Sequence, residues 1–177
     1  MIYICLDNEA YMNTGIQRSS STPYGAWTTT SPVGKLKPGK THWKKNMLMI
    51  ADAHYVPYIA TASIGYPFDL MKKLEKAKNV EGPSYIHIYA PCPTGWRTPP
   101  EMTPELGRLA VQTGVFPLYE IVDGKVKVNI KPKKLRPVKD YLRMQGRFKH
   151  LTDKDIECIQ KKVIKEYKHL LSLEEAD

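Results

Sequence analysis

An unbroken apolar strand that runs directly into a polar loop is the feature that most limits how this chain can fold. Ile2 to Leu6 is apolar throughout, and the loop Asp7 to Gly15 follows at once. A continuous apolar run is typical of a central parallel strand covered on both faces. Open α/β sheets bind ligands in loops at the carboxyl ends of such strands. The sequence therefore predicts that Asp7 to Gly15 lies at a binding site.

Strand and helix patterns alternate along much of the remaining chain. Strands are expected at Val56 to Ala60 and Tyr85 to Ala90, separated by a helix at Pro67 to Lys78. A helix at Thr103 to Thr113 follows, and Asp123-Gly124 predicts the turn of a β-hairpin. The predicted fold class is α/β: a parallel sheet flanked by helices, with a β-hairpin and a C-terminal helical tail.

Two consecutive segments lie outside this alternation. Residues 16–40 are rich in Ser, Thr, Pro and Gly, a composition typical of a flexible linker. Tyr24 and Trp27 favour an ordered functional loop instead. Thr41 is then expected to cap a helix that runs to about His54.

The tail differs in character from the α/β part, which gives an expected division into residues 1–131 and residues 132–177. Its long helix is predicted to begin at Thr152. That helix carries one apolar face, made of Ile156, Ile159, Val163, Tyr167 and Leu170. The face could pack on its own domain or contact a partner subunit, and the sequence leaves both open.

Charge and hydropathy exclude several classes of protein. No segment reaches the roughly 18 apolar residues of a membrane span, and the N-terminus lacks the basic region of a signal peptide, so a cytoplasmic location is expected. The net charge is +9, spread along the chain without an RRM, KH or zinc-finger pattern. A solvated basic surface is the plainer interpretation and an anionic partner is the alternative. Nucleic acid is a distant third, because aromatic residues do not interleave with a basic stripe.

The three cysteines do not form a disulfide framework. Cys5 lies in the apolar strand and Cys158 in a helix, and both are expected to be structural thiols. Cys92 stands between two prolines after the strand Tyr85 to Ala90, where a thiolate could bind a soft metal or an iron–sulfur cluster. A lone cysteine is weak evidence, so a structural thiol is the favoured interpretation of Cys92 when it is considered alone.

The loop after the first strand offers oxygen atoms suited to magnesium. Mg²⁺ prefers hard oxygen ligands in octahedral geometry. Asn8 has a side-chain oxygen and Ala10, two residues later, a backbone carbonyl, so both could meet one ion. Further polar groups, and a backbone that can approach the same ion closely, come from Asn13, Thr14 and Gly15. Taken alone, Asn8 is better explained as a plain turn residue.

Longer strings resemble a known family. Asp-Asn-Glu-Ala-Tyr-Met-Asn-Thr-Gly (7–15), Thr-Pro-Tyr-Gly-Ala (22–26) and Ala-Pro-Cys-Pro-Thr-Gly-Trp (90–96) resemble the beta subunits of the 2-oxoacid:ferredoxin oxidoreductases, pyruvate synthase in particular. The resemblance covers nearly the whole chain, including Gln145 to Phe148. It implies the thiamine-diphosphate-binding fold.

The resemblance also assigns roles to the loop. The residues implied to bind thiamine diphosphate or its metal are Asn8, Ala10, Tyr11, Met12, Asn13 and Thr14. Among them, Asn8 and Ala10 are the implied Mg²⁺ ligands. Asn13 is the implied catalytic residue, because its amide could hydrogen-bond a carboxylate or an oxyanion. Asp7 is expected to order the loop, and Glu9 is not the activating glutamate, which the alpha subunit supplies.

Compared with that family, this sequence lacks essential ligands. It has no Gly-Asp-Gly, whose Asp binds magnesium in the family, and it lacks the three cysteines that would join Cys92 on a 4Fe–4S cluster. Such a cluster needs four ligands. We therefore expect the C-terminal half of a beta subunit, in which residues outside this chain complete the thiamine diphosphate, Mg²⁺ and cluster sites.

The implied function is a share in the oxidative decarboxylation of a 2-oxo acid. Pyruvate is expected first and branched 2-oxo acids second, with electrons passing to ferredoxin and the acyl group to coenzyme A. The implied partners are the N-terminal half of the beta subunit and subunits of the alpha, gamma and delta types. The alternative, favoured by the missing ligands, is a non-catalytic half-subunit that serves as an assembly or anion-binding module.

Overall fold

A five-stranded mixed sheet forms the centre of the fold in this computed structural model, which describes residues 1–35 and 38–175. The strands are β1 (Ile2–Asp7), β2 (Tyr58–Ser63), β3 (Ser84–Tyr89), β4 (Tyr119–Val122) and β5 (Lys125–Val128). They lie in the order β1-β3-β2-β4-β5. β3 pairs in parallel with β1 and β2, whereas β4 pairs antiparallel with β2 and β5. The predicted α/β class is confirmed.

Helices connect the strands and cover the sheet. They are α1 (Met47–Asp52), α2 (Pro67–Asn79), α3 (Pro93–Trp96), α4 (Thr103–Gln112), α5 (Val138–Arg143) and α6 (Asp153–Glu175), with single 3₁₀ turns at Pro100–Met102 and Gly146–Phe148. The β2-α2-β3 segment is a parallel crossover, in which the helix returns the chain to the same end of the sheet. Among the residues described, no helix is both long and apolar enough to cross a bilayer.

The first strand lies at an edge of the sheet, which corrects the prediction of a central strand. All residues of β2 and β3 are buried. In β1, by contrast, Tyr3 is 60% and Leu6 is 68% exposed. β3 pairs with one side of β1, and no other strand of the described part pairs with its second side. The apolar side chains of Ile2 to Leu6 are typical of a buried strand, but the described residues leave several of them exposed.

The segment before α1 is not helical, so the helix predicted from Thr41 is wrong in its first half. α1 begins only after Asn46, whose side chain caps it. The preceding residues are engaged elsewhere: the Trp43 ring stacks on Tyr24 with 4.5 Å between centroids. The ammonium group of Lys44 reaches inward to two carboxylates. These distant contacts override the local helical preference.

The described residues of the Ser- and Thr-rich segment form a packed loop. Ala26 is fully buried. The ammonium group of Lys40 donates to the Ser20 carbonyl at 3.1 Å and to the Thr22 carbonyl. Burial lowers the pKa of Lys40 to about 8. Leu36 and Lys37 of this segment lie outside the described residues.

The tail packs on the α/β part of its own chain. The buried residues of α6 are Ile159, Val163, Tyr167 and Leu170, which belong to the predicted apolar face. Val163 shares one hydrophobic core with Leu106 of α4 and Val138 of α5. Of the two readings of this face, the structure shows the packing within the chain. The division after residue 131 stays a prediction, and Ala176 and Asp177 lie outside the described residues.

A buried carboxylate ties the hairpin to β2 and α2. Glu120 in β4 is 1% exposed and accepts hydrogen bonds from Tyr58 Oη at 2.6 Å, Lys76 Nζ at 2.8 Å and Asn129 Nδ2 at 2.6 Å. Burial alone would raise the pKa of Glu120, but these three donors hold it below its usual value. The charged form of Glu120 therefore stabilises the fold.

Glu120→Gln is expected to lower the free energy of unfolding by about 1–3 kcal/mol near neutral pH, because the charged acceptor is lost. The folded protein binds fewer protons at Glu120 than the unfolded chain, so this stabilisation is lost as the pH falls through the folded pKa. Urea unfolding of both proteins should therefore show a difference that shrinks in acid. Glu81→Gln, at an exposed position, is the control. A difference between wild type and Glu120→Gln that is constant with pH would contradict this account.

Candidate functional site

The loop that follows β1 lies beside the turn that follows β3. The Ala90 amide donates to the Asp7 carbonyl at 3.0 Å, directly after the paired strands end. The indole Nε1 of Trp96 donates to the Asn8 carbonyl at 2.9 Å. The two motifs singled out in the sequence thus meet at one edge of the sheet, where parallel strands present their carboxyl ends.

Asn8 and Ala10 keep two neutral oxygen atoms available in this loop. Both residues are half-buried. Asn8 Oδ1 lies 3.5 Å from the Ala10 amide, a long contact that occupies the oxygen weakly. No hydrogen bond from a described residue ends on the Ala10 carbonyl oxygen. These hard oxygen donors fit Mg²⁺. Among the described residues, no group of three or more His, Cys, Asp or Glu side chains is placed to hold a metal ion.

The residues after Ala10 form a closed turn that faces solvent. The Tyr11 amide donates to the Gln17 carbonyl at 3.0 Å, and the Gln17 amide donates back at 3.2 Å. The Thr14 hydroxyl donates to Gln17 Oε1 at 2.6 Å. Tyr11 is 63% exposed, and Asn13 is exposed as well. The Asn13 amide is therefore carried on the outside of an ordered turn.

Two buried carboxylates flank Asn8. Asp7 is 5% and Glu9 is 2% exposed. Asp7 Oδ2 lies 2.7 Å from His87 Nε2 and 2.5 Å from Lys44 Nζ, and the Ser21 hydroxyl donates to Asp7 Oδ1 at 2.6 Å. Burial alone would raise the pKa of Asp7, but these partners hold it well below its usual range. Asp7 is occupied inside the protein, which agrees with its expected role of ordering the loop.

Cys92 lies immediately before α3 and close to the loop. It is half-buried and packs, with Met12, against the core that contains Trp96. Gly95 permits this arrangement, because a Cβ there would overlap the Met12 Sδ and would lie 3.4 Å from Cys92 Sγ. Met12 and Cys92 are therefore neighbours across Gly95.

The other two cysteines lie elsewhere. Cys5 is half-buried in β1, with its thiol pKa raised by burial. Cys158 lies in α6, as predicted, and is exposed, and its expected structural role stays a prediction. Cys92 alone among the three is placed beside the predicted cofactor loop.

Sequence reasoning missed the cations that neutralise the two buried acids. Lys44 Nζ lies 2.8 Å from Glu9 Oε1, and Arg147 Nη2 lies 2.5 Å from Glu9 Oε2. Both cations come from segments far along the chain. One signal was available: acids at the end of a strand that is predicted to be buried need counter-ions, because an unpaired buried charge is costly. That argument predicts cations nearby but does not say which of the many lysines and arginines supply them.

Two pockets lie near this loop, and the smaller one, of about 90 Å³, is lined by Glu9 of the loop together with Trp43 and Lys44. A cavity of about 270 Å³ is lined by Lys44, His87, Phe116, Tyr167 and neighbouring residues, and by none of residues 8–14. The candidate site is therefore an open loop at the carboxyl ends of β1 and β3, and not the interior of the 270 Å³ cavity.

Comparison with known proteins identifies relatives for most of the chain. Residues 1–88 match the family described as thiamine pyrophosphate enzyme, C-terminal TPP binding domain. The chain is 59% identical to pyruvate synthase subunit PorB of Methanocaldococcus jannaschii over 161 residues, which are 91% of this chain and 54% of that protein. It is 54% identical to ketoisovalerate oxidoreductase subunit VorB of Pyrococcus abyssi over 176 residues, 98% of this chain and 57% of that protein.

The chain spans about half the length of the curated relatives it matches. Among solved structures, it is similar to a 2-oxoglutarate:ferredoxin oxidoreductase from Magnetococcus marinus, with a TM-score of 0.48 and 29% identity. That similarity covers 53% of this chain and 31% of the other.

Gly95→Ala is expected to displace the Met12 side chain at a cost of about 1 kcal/mol in the free energy of unfolding, because the new Cβ meets the end of a flexible side chain. The Met12 methyl signal in a ¹H–¹³C spectrum should shift. Gly34→Ala, where a Cβ meets nothing within 4 Å, is the matched control. An unchanged Met12 signal in Gly95→Ala would show that the Met12 side chain does not lie against position 95.

Proposed function

We propose that the chain is part of a beta subunit of the 2-oxoacid:ferredoxin oxidoreductases, since it is 59% and 54% identical to subunits PorB and VorB. We further propose that it supplies part of the thiamine diphosphate and magnesium site of such an enzyme. The observation that carries this proposal is the ordered loop at the carboxyl end of β1. There, Asn8 and Ala10 keep two neutral oxygens available while Asp7 and Glu9 are occupied inside the protein.

We propose a role for each exposed part of the loop. Asn8 would hold Mg²⁺ through its side-chain oxygen and Ala10 through its carbonyl. The lining of the cofactor would come from Tyr11, Met12, Asn13 and Thr14. Thiamine diphosphate, when bound, supplies the electron sink for decarboxylation. The amide of Asn13 would donate a hydrogen bond to a substrate carboxylate or a developing oxyanion.

Cys92 is proposed as one of four thiolate ligands of a 4Fe–4S cluster. Its position supports this role, because it follows β3, the strand that pairs with β1, and lies next to Met12 of the cofactor loop. A cluster held there would lie close to the cofactor, as single-electron transfer from it requires.

The remaining ligands would come from parts of the enzyme that this chain does not span. We propose that these parts, the N-terminal half of the beta subunit, cover β1, whose Tyr3 and Leu6 are exposed. Subunits of the alpha, gamma and delta types would complete the complex. The net charge of +9 favours anionic coenzyme A and an acidic ferredoxin as partners. Free thiols suit a reducing compartment, and we infer the cytoplasm.

The whole reaction would oxidise and decarboxylate a 2-oxo acid to an acyl-coenzyme A, with ferredoxin as the electron acceptor. The matched relatives are named for two different substrates, pyruvate and ketoisovalerate, at 59% and 54% identity. We propose pyruvate as the first substrate to test and branched 2-oxo acids as the second.

Asn8→Ala is expected to weaken the binding of thiamine diphosphate in the presence of Mg²⁺ by at least about tenfold in the assembled enzyme, because one metal ligand is lost. Isothermal titration calorimetry measures this directly. Asn79→Ala, at an exposed position at the end of α2, is the control. Equal affinity in the two variants would exclude Asn8 as a ligand. An assembled wild type that binds no thiamine diphosphate would instead favour a non-catalytic assembly module.

Cys92→Ser is expected to remove one cluster, about four iron atoms, from the anaerobically assembled complex. Iron and sulfide analysis with EPR spectroscopy measures the loss. Cys158→Ser, which changes an exposed thiol on α6, should leave the iron content unchanged. If both variants keep the full iron content, Cys92 is not a cluster ligand.

A further inference from the structure

The two buried acids that flank Asn8 share a single lysine. Lys44 Nζ lies 2.5 Å from Asp7 Oδ2 and 2.8 Å from Glu9 Oε1. We propose that Lys44 is a positioning residue, which holds residues 7–10 in the shape that keeps the oxygens of Asn8 and Ala10 available to a metal. This inference rests on the proposed function of the loop and adds to it a residue that no motif contains.

The ammonium group of Lys44 neutralises charge on both buried acids, Asp7 and Glu9. Without Lys44, Asp7 would keep His87 and Glu9 would keep Arg147 as partners, but each buried carboxylate would lose one cation that water cannot replace. Burial alone would lower the pKa of Lys44, but the charges of Glu9 and Asp7 raise it, so the ammonium group stays protonated. Together, the cations Lys44 and Arg147 match the acids Asp7 and Glu9 in charge. These four side chains therefore order the loop and have no net charge among them.

Glu9 needs such external support because its backbone conformation is unfavourable. Its φ is 67°, in the left-handed region that residues other than glycine rarely adopt. The Glu9 amide donates to Asp7 Oδ1 at 2.9 Å, and the Thr22 hydroxyl donates to the Glu9 carbonyl at 2.6 Å. A conformation of this kind persists only where the surroundings fix it. The ion pair with Lys44 turns the Glu9 side chain inward and so helps to fix it.

A second cation extends this arrangement to the Cys92 segment. Arg147 pairs with the other oxygen of Glu9 at 2.5 Å and stacks over the Trp96 ring at 3.9 Å from its centroid. Trp96 in turn donates to the Asn8 carbonyl. Contacts therefore run from Lys44 through Glu9, Arg147 and Trp96 back to Asn8. Lys44 differs from Arg147 in touching both acids, so its loss should release both sides of Asn8 together.

Lys73 provides a matched control for a purely structural role. Lys73 is 1% exposed, whereas the Lys44 side chain is 24% exposed, and Lys73 likewise donates inward, to Asp69 Oδ2 at 2.7 Å and to the Thr61 carbonyl at 2.8 Å. It lies in α2, and no described contact joins it to residues 7–14. Lys73→Met and Lys44→Met should both lower stability, but only Lys44→Met should loosen the loop.

The first test is amide hydrogen exchange of the full chain, under conditions where every variant is folded. Residues 8–13 should exchange at least about tenfold faster in Lys44→Met than in wild type, and at the wild-type rate in Lys73→Met. Lys44→Arg, which keeps the charge, should restore most of the protection. If Lys44→Met fails to fold, Lys44→Gln replaces it, because a neutral amide cannot serve both carboxylates. Unchanged exchange in the folded variant would overturn the proposal.

The second test is the affinity of the assembled enzyme for thiamine diphosphate with Mg²⁺. Lys44→Met should weaken this affinity by about tenfold or more, and Lys73→Met should leave it unchanged. Equal losses in both variants would mean that Lys44 acts through general stability, which overturns its positioning role. A wild type that binds no thiamine diphosphate would overturn the proposed function instead, and hydrogen exchange would still decide whether Lys44 orders the loop.

Discussion

The burial of two carboxylates at the end of the first strand is the constraint on which much of this structure depends. Asp7 and Glu9 are almost fully removed from water, and each must be paired because an isolated buried charge is not tolerated. The chain meets this demand with Lys44, His87 and Arg147, which come from three separate segments. The loop after β1, the segment before α1 and the turn before α6 are thus held at one point.

This arrangement makes the tail part of the candidate site. Arg147 lies in the short 3₁₀ turn between α5 and α6, yet it contacts an acid beside the predicted metal ligand. The Arg147 carbonyl also accepts a hydrogen bond from the Trp27 amide, and the Gly146 amide donates to the Arg97 carbonyl. The tail, which the sequence marks as a C-terminal extension, therefore contacts the loop through Arg147 and helps to hold Glu9 in place.

Local patterns predicted most of the elements of the fold, and long-range contacts account for the errors. β3, α2, α4 and the hairpin follow from periodicity and turn residues, which act over a few positions. The prediction of a helix from Thr41 is wrong in its first half, because Trp43 and Lys44 contact residues that are distant in the sequence. The predicted site residues 8–14 and Cys92 do lie at one edge of the sheet, and their roles stay predictions. The supporting cations could not be predicted, since nothing near Lys44 or Arg147 in the sequence marks them as partners of Glu9.

The exposed edge of β1 has a consequence for how this chain behaves in concentrated solution. Among the described residues, no strand pairs with the second side of β1, and its exposed side chains Ile2, Tyr3, Ile4 and Leu6 are apolar. Asp7, the one charged residue of β1, is buried and does not protect this edge. Such an edge is a template for another strand, including the same strand of a second copy. Wherever β1 is left uncovered, pairing between the β1 strands of two copies competes with the pairing of β1 to any other strand that would cover it.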